Sequence, residues 1–235
     1  MSVLTLSKHQ NVLLQKRGLA CERSTRIHQN VHVHIVDMSS PRALWEFAGS
    51  FTQSHSLNVL INNAGCMVNQ RELTEDGLEK NFATNTLGMF ILTTALIPEL
   101  KKSQDPRVVS MFQITVSSGG MLVQKLNLDD LQFEKGTFGL WLMHRTTHKS
   151  SMPDFHARMK NKLRTEAQGA DTVVWLAVSH AAVKHPSRLF FQEQTPVATH
   201  LPLALTRSSS AEENELMKTL EQLGERFKMR LTSGL

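Results

Sequence analysis

The sequence predicts a single α/β domain built on an incomplete doubly wound parallel sheet, and three observations predict it. Strand-like and helix-like segments alternate from Val31 to Val116. An apolar run, Leu57 to Ile61, leads straight into Asn62-Asn63-Ala64-Gly65. The residues with chemical character here, Asp37, Asn63 to Gly65 and Ser117-Ser118, each follow the C-terminal end of an expected strand. That is where open parallel sheets place their ligands, because helical crossovers leave a crevice beyond the strand ends.

The elements follow in order. Val31 to Val36 reads as a short strand ending at Asp37. Ser39 or Ser40 can cap the next helix, Pro41 suits its first turn, and Leu44, Phe47, Ala48 and Phe51 recur on one helical face. Leu57 to Ile61 is the next strand. A long helix is expected from Thr74 to Pro98, with a break near Gly88, on the rhythm of Leu78, Phe82, Leu87, Phe90 and Ile91. Val108 to Val116 is β-rich and closes on Ser117-Ser118-Gly119-Gly120, with Ser110 to Gln113 resembling an insertion. No element is expected between Met121 and Arg164. Glu166 to Ala182 reads as a helix and Leu189 to Phe191 as a short strand. Ser210 with Glu213 makes a capping box ahead of a final amphipathic helix through Leu216, Leu220 and Leu223.

This organisation divides the chain into a divergent, disordered segment over residues 1–30, a partial domain over 31–205, and a linker with the terminal helix over 206–235. The 235 residues suffice for one sizeable core. With 40% apolar and 20% charged residues, and no apolar run of about 18 residues, no membrane span is expected. Cys21 and Cys66 are far apart and lack paired spacing, which points away from a disulfide framework and toward a reducing intracellular, cytoplasmic setting. Lys8, Lys16, Arg17, Arg23 and Arg26 against Glu22 alone give residues 1–30 a basic excess, for which a mitochondrial presequence is the alternative reading. Nucleic-acid binding is not expected, since no basic stripe interleaves with aromatics.

The run Asn62-Asn63-Ala64-Gly65, with Asp37 before it, Asn85-Thr86-Leu87-Gly88 after it and Ser118 beyond, resembles the motif series of the short-chain dehydrogenase/reductase family. The resemblance implies a Rossmann-like fold, an NAD or NADP cofactor and a small carbonyl or alcohol substrate. By it, Asp37 accepts from the adenine amino group, as a carboxylate can. Asn63, Ala64 and Gly65 let the backbone lie close to the adenosine, with Met38 and Val116 beside them. Asn85 belongs to a proton relay, and Ser118 binds the substrate carbonyl.

Two departures bear on activity. Gly18 is the one glycine before Gly49, so the family's Gly-rich turn at a helix N-terminus, which seats a pyrophosphate, has no counterpart. The first two strands are therefore expected to be missing, and with them the middle of the sheet. The chain also contains no tyrosine. The family's Tyr-x-x-x-Lys acid/base pair is absent, and Lys149 has Arg145 four residues before it. Positioned proton transfer contributes roughly 10²–10⁴-fold, so an inactive or weak enzyme is expected, in a splice-shortened or truncated form. The alternatives are a non-catalytic module that pairs with an intact reductase, or forms a homodimer, through the Leu78 to Pro98 helix, and a poorly folded fragment.

No metal site is expected. His28, His32 and His34 lack a carboxylate or thiolate partner set, and His144 with His148 lack the intervening Glu of a zinc hydrolase. Ser117-Ser118 has no Gly-x-Ser-x-Gly elbow of a serine hydrolase.

Overall fold

The computed structural model describes residues 3–5, 32–68, 70–102, 113–115, 122, 125–135, 157 and 164–232. Three short strands, β1 (Val3–Thr5), β2 (Val59–Asn62) and β3 (Gln113–Thr115), form a sheet in that order, and both pairings are parallel. Period-2 alternation sends Leu60 to one face of β2 and Val59 and Ile61 to the other, and helices cover both. The expected loss of the sheet's middle is corrected in part: β1, inside the segment expected to be disordered, pairs directly with β2 through Val3–Val59 and Thr5–Ile61.

Residues 32–36 are the second correction. They carry no strand pairing among the described residues. The alternating Val and His pattern is there, but the face that β-propensity would press against a neighbour is turned outward, with Val33 49% and Ile35 76% exposed. The opposite face packs on a helix instead. The His34 ring lies edge-on to Phe47 and Phe51, 5.4 and 6.1 Å away.

That helix, α1 (Pro41–Ser54), forms as its sequence dictates. The Ser40 side chain accepts from the Ala43 N–H, Pro41 opens the first turn, and Leu44, Ala48 and Phe51 are buried. The next helical stretch begins later than expected. Thr74 to Leu78 folds as a turn, in which the Gly77 N–H donates to the Thr74 carbonyl and Gly77 takes a φ of +75°. Helix follows as α2 (Lys80–Phe82), a π-helical segment (Ala83–Gly88) and α3 (Met89–Lys102). The expected break near Gly88 is this change of helical type, whereas Pro98 does not end the helix. Thr94, whose carbonyl Pro98 leaves without its i+4 donor, is exposed like Pro98 itself, so water can serve it. The opposite face of α3 is enclosed: Ile91, Leu92, Leu96 and Leu100 are core residues.

On the other face of the sheet lies α4 (Glu166–Val178), which starts at a Thr165–Gln168 capping box and packs Val173, Leu176 and Ala177 against Val59 and Ile61. A hairpin of β4 (Phe190–Gln192) and β5 (Thr195–Val197) is tied to it by Gln194, whose Nε2 donates to Asp171 Oδ2 at 2.7 Å. The terminal helix α5 (Ser210–Thr232) closes the main core, burying Leu220 and Phe227, while Trp45 Nε1 of α1 donates to the Gly224 carbonyl at 3.1 Å. Burying one such aromatic side chain stabilises by roughly 2–3 kcal/mol.

The α5 cap lies one residue earlier than the sequence suggested. Ser209 and Glu212 exchange the bonds, at 2.7 Å from the Ser209 N–H to Glu212 Oε2 and 3.2 Å from the Glu212 N–H to Ser209 Oγ. Both Ser209 and Ser210 have Glu three residues on; Glu212, the one in the observed cap, also pairs with Lys125 at 3.0 Å. The Ser209 backbone N–H, then Lys125 and the Ser209 hydroxyl, lower the Glu212 carboxyl from 4.5 to about 2. A depressed folded-state value means stability that is complete above the unfolded value and is lost as pH falls through the folded one. The thermal midpoint should therefore decline between pH 4.5 and 2 in a part that Glu212→Gln removes, which a pH series of melts would read directly.

Candidate functional site

At the C-terminal end of β2 the chain turns through Asn62, Asn63, Ala64, Gly65 and Cys66, and the helical stretch beginning at Lys80 holds that turn in place. Asn85 grips the backbone of Cys66 with both ends of its carboxamide: Oδ1 accepts from the Cys66 N–H and Nδ2 donates to the Cys66 carbonyl, each at 2.7 Å. Four residues earlier on the same face, Asn81 repeats the grip on Val68, accepting from its N–H at 2.9 Å and donating to its carbonyl at 3.3 Å. The two side chains do what a neighbouring strand would do, satisfying loop backbone that burial would otherwise leave without partners.

Asn81 is itself set by Glu79, whose side chain is wholly buried. Glu79 Oε1 accepts from the Asn81 N–H and Nδ2, both at 3.0 Å, and Oε2 accepts from the Phe82 N–H at 2.7 Å. A carboxylate at a helix N-terminus is favoured by the free N–H groups and by the dipole. The Glu79 N–H donates in turn to Gln132 Oε1 at 3.1 Å, and Arg71 Nε holds the Gln132 carbonyl at 3.0 Å.

One turn beyond Asn85, Gly88 meets the chain from the other side. A Cβ at Gly88 would stand 2.1 Å from the Met38 carbonyl oxygen and 2.9 Å from that of Ala83. Only glycine admits this approach, which brings the segment carrying Asp37 and Met38 against the helix that carries Asn85. Asp37 is half-buried, and its Oδ1 accepts from the Ser39 N–H at 3.0 Å and the Ser39 hydroxyl at 2.8 Å, stiffening the turn into α1.

The sequence-derived candidates thus separate into three groups. Met38, Asn85 and the Asn62 to Gly65 turn come together around the helix, with Asp37 adjoining Met38. Asn63 is exposed, while Ala64 and Gly65 are half-buried and present almost no side chain. The Asn85 carboxamide is committed to Cys66, so its observed part is to position the turn. Val116 and Ser118, like Arg145 and Lys149, lie outside the described residues. Glu79, Asn81 and Gln132 were not singled out from the sequence, although the spacing Asn81, Asn85, Gly88 marks one helical stripe.

The Cys66 thiol is wholly buried, 3.5 Å from Asn81 Oδ1 and 3.6 Å from the Lys80 carbonyl. Burial foremost, against a hydrogen bond to Thr84, raises it to about 11, so it is a thiol and no nucleophile at neutral pH. Among the described residues no three His, Cys, Asp or Glu side chains gather as a metal site. Asn62 Nδ2 donates to Thr93 Oγ1 at 3.0 Å, and its buried Oδ1 has no partner among the described residues.

Comparison with known proteins decides the lineage. Residues 7–123 match the short chain dehydrogenase family. Dehydrogenase/reductase SDR family member 12 of Bos taurus is 54% identical over 86% of this chain and 72% of its own length, as is the Homo sapiens protein of that name. The chain belongs to the short-chain dehydrogenase/reductase family. A crystal structure of an uncharacterized protein from Mycobacterium paratuberculosis, 22% identical, aligns over 83% of this chain and 76% of that one with a TM-score of 0.57, a likeness of fold. In this chain the Asn62 to Gly65 turn follows the C-terminal end of β2, and the helix carrying Asn85 and Gly88 joins it to Met38.

Proposed function

We propose that this chain is a nucleotide-binding member of the short-chain dehydrogenase/reductase family whose carbonyl–alcohol chemistry is weak or lost. Its sheet is a doubly wound one short of strands, and the cofactor is NAD or NADP. The carrying observation is the double asparagine grip: Asn81 and Asn85 hold the backbone of Val68 and Cys66, which keeps the Asn63, Ala64 and Gly65 turn at the strand end. Asp37 would accept from the adenine amino group through its carboxylate, with Met38 and Val116 assigned to the same nucleoside by the family's motif. These residue types fit an adenosine moiety. The diphosphate seat has no glycine-rich counterpart in the sequence.

NAD(P) would supply the hydride when bound. What this chain supplies is narrower: backbone and carboxylate contacts to the nucleoside, and the Ser118 hydroxyl as a donor to a carbonyl oxygen. With no tyrosine anywhere in the chain, no phenol is present to move the proton, and loss of positioned proton transfer lowers the rate by roughly 10²–10⁴-fold.

Titration of NADP⁺ and of NAD⁺ against the thermal midpoint tests the reading. Saturable stabilisation at sub-millimolar concentration of either is expected, since a ligand at 100 times its Kd raises stability by about 2.7 kcal/mol. No shift up to several millimolar of both would overturn it. Carbonyl reduction at rates ordinary for the family would overturn the proposed impairment alone.

A further inference from the structure

Two of the most exposed large apolar side chains among the described residues sit on one turn. Leu203 is 97% exposed and Leu205 87%, and Leu201 beside them is also exposed. The turn is built and held: the Leu122 carbonyl accepts from the Leu201 N–H at 3.1 Å and from the Thr206 hydroxyl at 3.3 Å, and the Ala204 N–H closes on the Leu201 carbonyl at 3.2 Å. The base is pinned on both sides while the leucines stand outward.

The turn itself carries no carboxylate, and of the two that open α5 beyond it, Glu212 and Glu213, the first is neutralised by Lys125 at 3.0 Å. From Gln194 to Ala211 the chain carries no Asp or Glu, and the exposed Arg207 is without a carboxylate partner among the described residues. The chain as a whole is basic, with a net charge of +5. The area excludes a protein partner as the first choice, for a stable interface buries about 800 Å² on each side, far more than three leucines on one turn present. A bilayer surface sets no such minimum. Apolar side chains enter the headgroup region while cations stay at the phosphates.

We propose that the Leu201–Leu205 turn is a membrane-surface contact, in which Leu203 and Leu205 enter the interfacial layer of an anionic bilayer and Arg207 lies against its headgroups. The backbone stays at headgroup depth, where water can still serve it. No described helix is long and apolar enough to cross a membrane, so the contact is peripheral and reversible, and weakened by salt.

Vesicle co-sedimentation of the whole chain tests this, comparing phosphatidylcholine alone with phosphatidylcholine containing 30% phosphatidylserine, a composition on the order of anionic inner leaflets. Preferential pelleting with the anionic vesicles is expected, falling about tenfold or more in L203N/L205N and severalfold in R207E. Both leucines occupy the left-handed region, at φ +66° and +52°, which Asn tolerates better than Leu. The double variant therefore keeps its melting transition while losing the apolar surface, so that lost binding cannot be lost folding. No pelleting of the unmodified chain, equal pelleting with neutral and anionic vesicles, or undiminished binding by L203N/L205N would each overturn the proposal. So would concentration-dependent self-association without vesicle binding, which would assign the leucines to a second copy.

Discussion

Gly88→Ala should cost this fold about 2–3 kcal/mol or more, a fall of about 5–10 °C in the thermal midpoint for a chain of this size. The added methyl has nowhere to go. The atoms it meets, at 2.1 and 2.9 Å, are both backbone carbonyl oxygens, so no rotamer change relieves the clash. Either the segment carrying Asp37 and Met38 retreats from the helix or the π-helical segment rewinds. Alanine is the better helix former, so propensity alone predicts a gain of up to about 1 kcal/mol at this position. A melting experiment thus separates two opposite signs. If Gly88→Ala melts at or above the parent, the close approach of Met38 to the helix is wrong.

The second large effect is expected at Asn85. Truncation to Ala removes both bonds to Cys66 at once and leaves a buried N–H and a buried carbonyl unserved, each worth about 1–3 kcal/mol, for a total of roughly 2–6 kcal/mol. Asn85→Asp should fall between, since it keeps the acceptor for the Cys66 N–H but faces the carbonyl with an oxygen. The same series measured with NADP⁺ or NAD⁺ present should show cofactor stabilisation lost in Asn85→Ala beyond the loss of fold, because the Asn63 to Gly65 turn is no longer fixed. Unchanged cofactor shifts in a folded Asn85→Ala protein would detach the grip from binding. Denaturant melts, with and without cofactor, supply both readings.

What the sequence made legible is what local chemistry determines. Ser40-Pro41 with the Leu44, Ala48 and Phe51 stripe fixes α1, since cap, first turn and buried face agree. The Asn62 to Gly65 turn was legible through its motif, and Gly88 through the expected interruption of the helix. The failures share one cause, dependence on distant partners. Val31 to Val36 has strand composition, but a strand needs a neighbour, and its inner face found Phe47 and Phe51 of α1. Ser209 and Ser210 offer equal caps, and Glu212 of the observed one also pairs with the distant Lys125. Glu79 and Asn81 look like ordinary surface residues of a helix start until the loop at Cys66 and Val68 is laid over them. The β4–β5 hairpin escaped notice past its first strand because Glu193 and Gln194 hold φ values of +51° and +62° in its turn, where glycine or asparagine would have announced it.

The bond from Trp45 to Gly224 joins residues 179 apart in sequence, and Phe227 fills the same core as Leu44. A chain emerging from the ribosome must therefore carry the greasy faces of α1 and α3 uncovered until α5 is made. Such long-range closure slows folding and lengthens the interval in which an unfinished core can stick to its neighbours. Yield in cells should for this reason be governed by chaperone supply and synthesis temperature, well before the melting point of the finished protein matters.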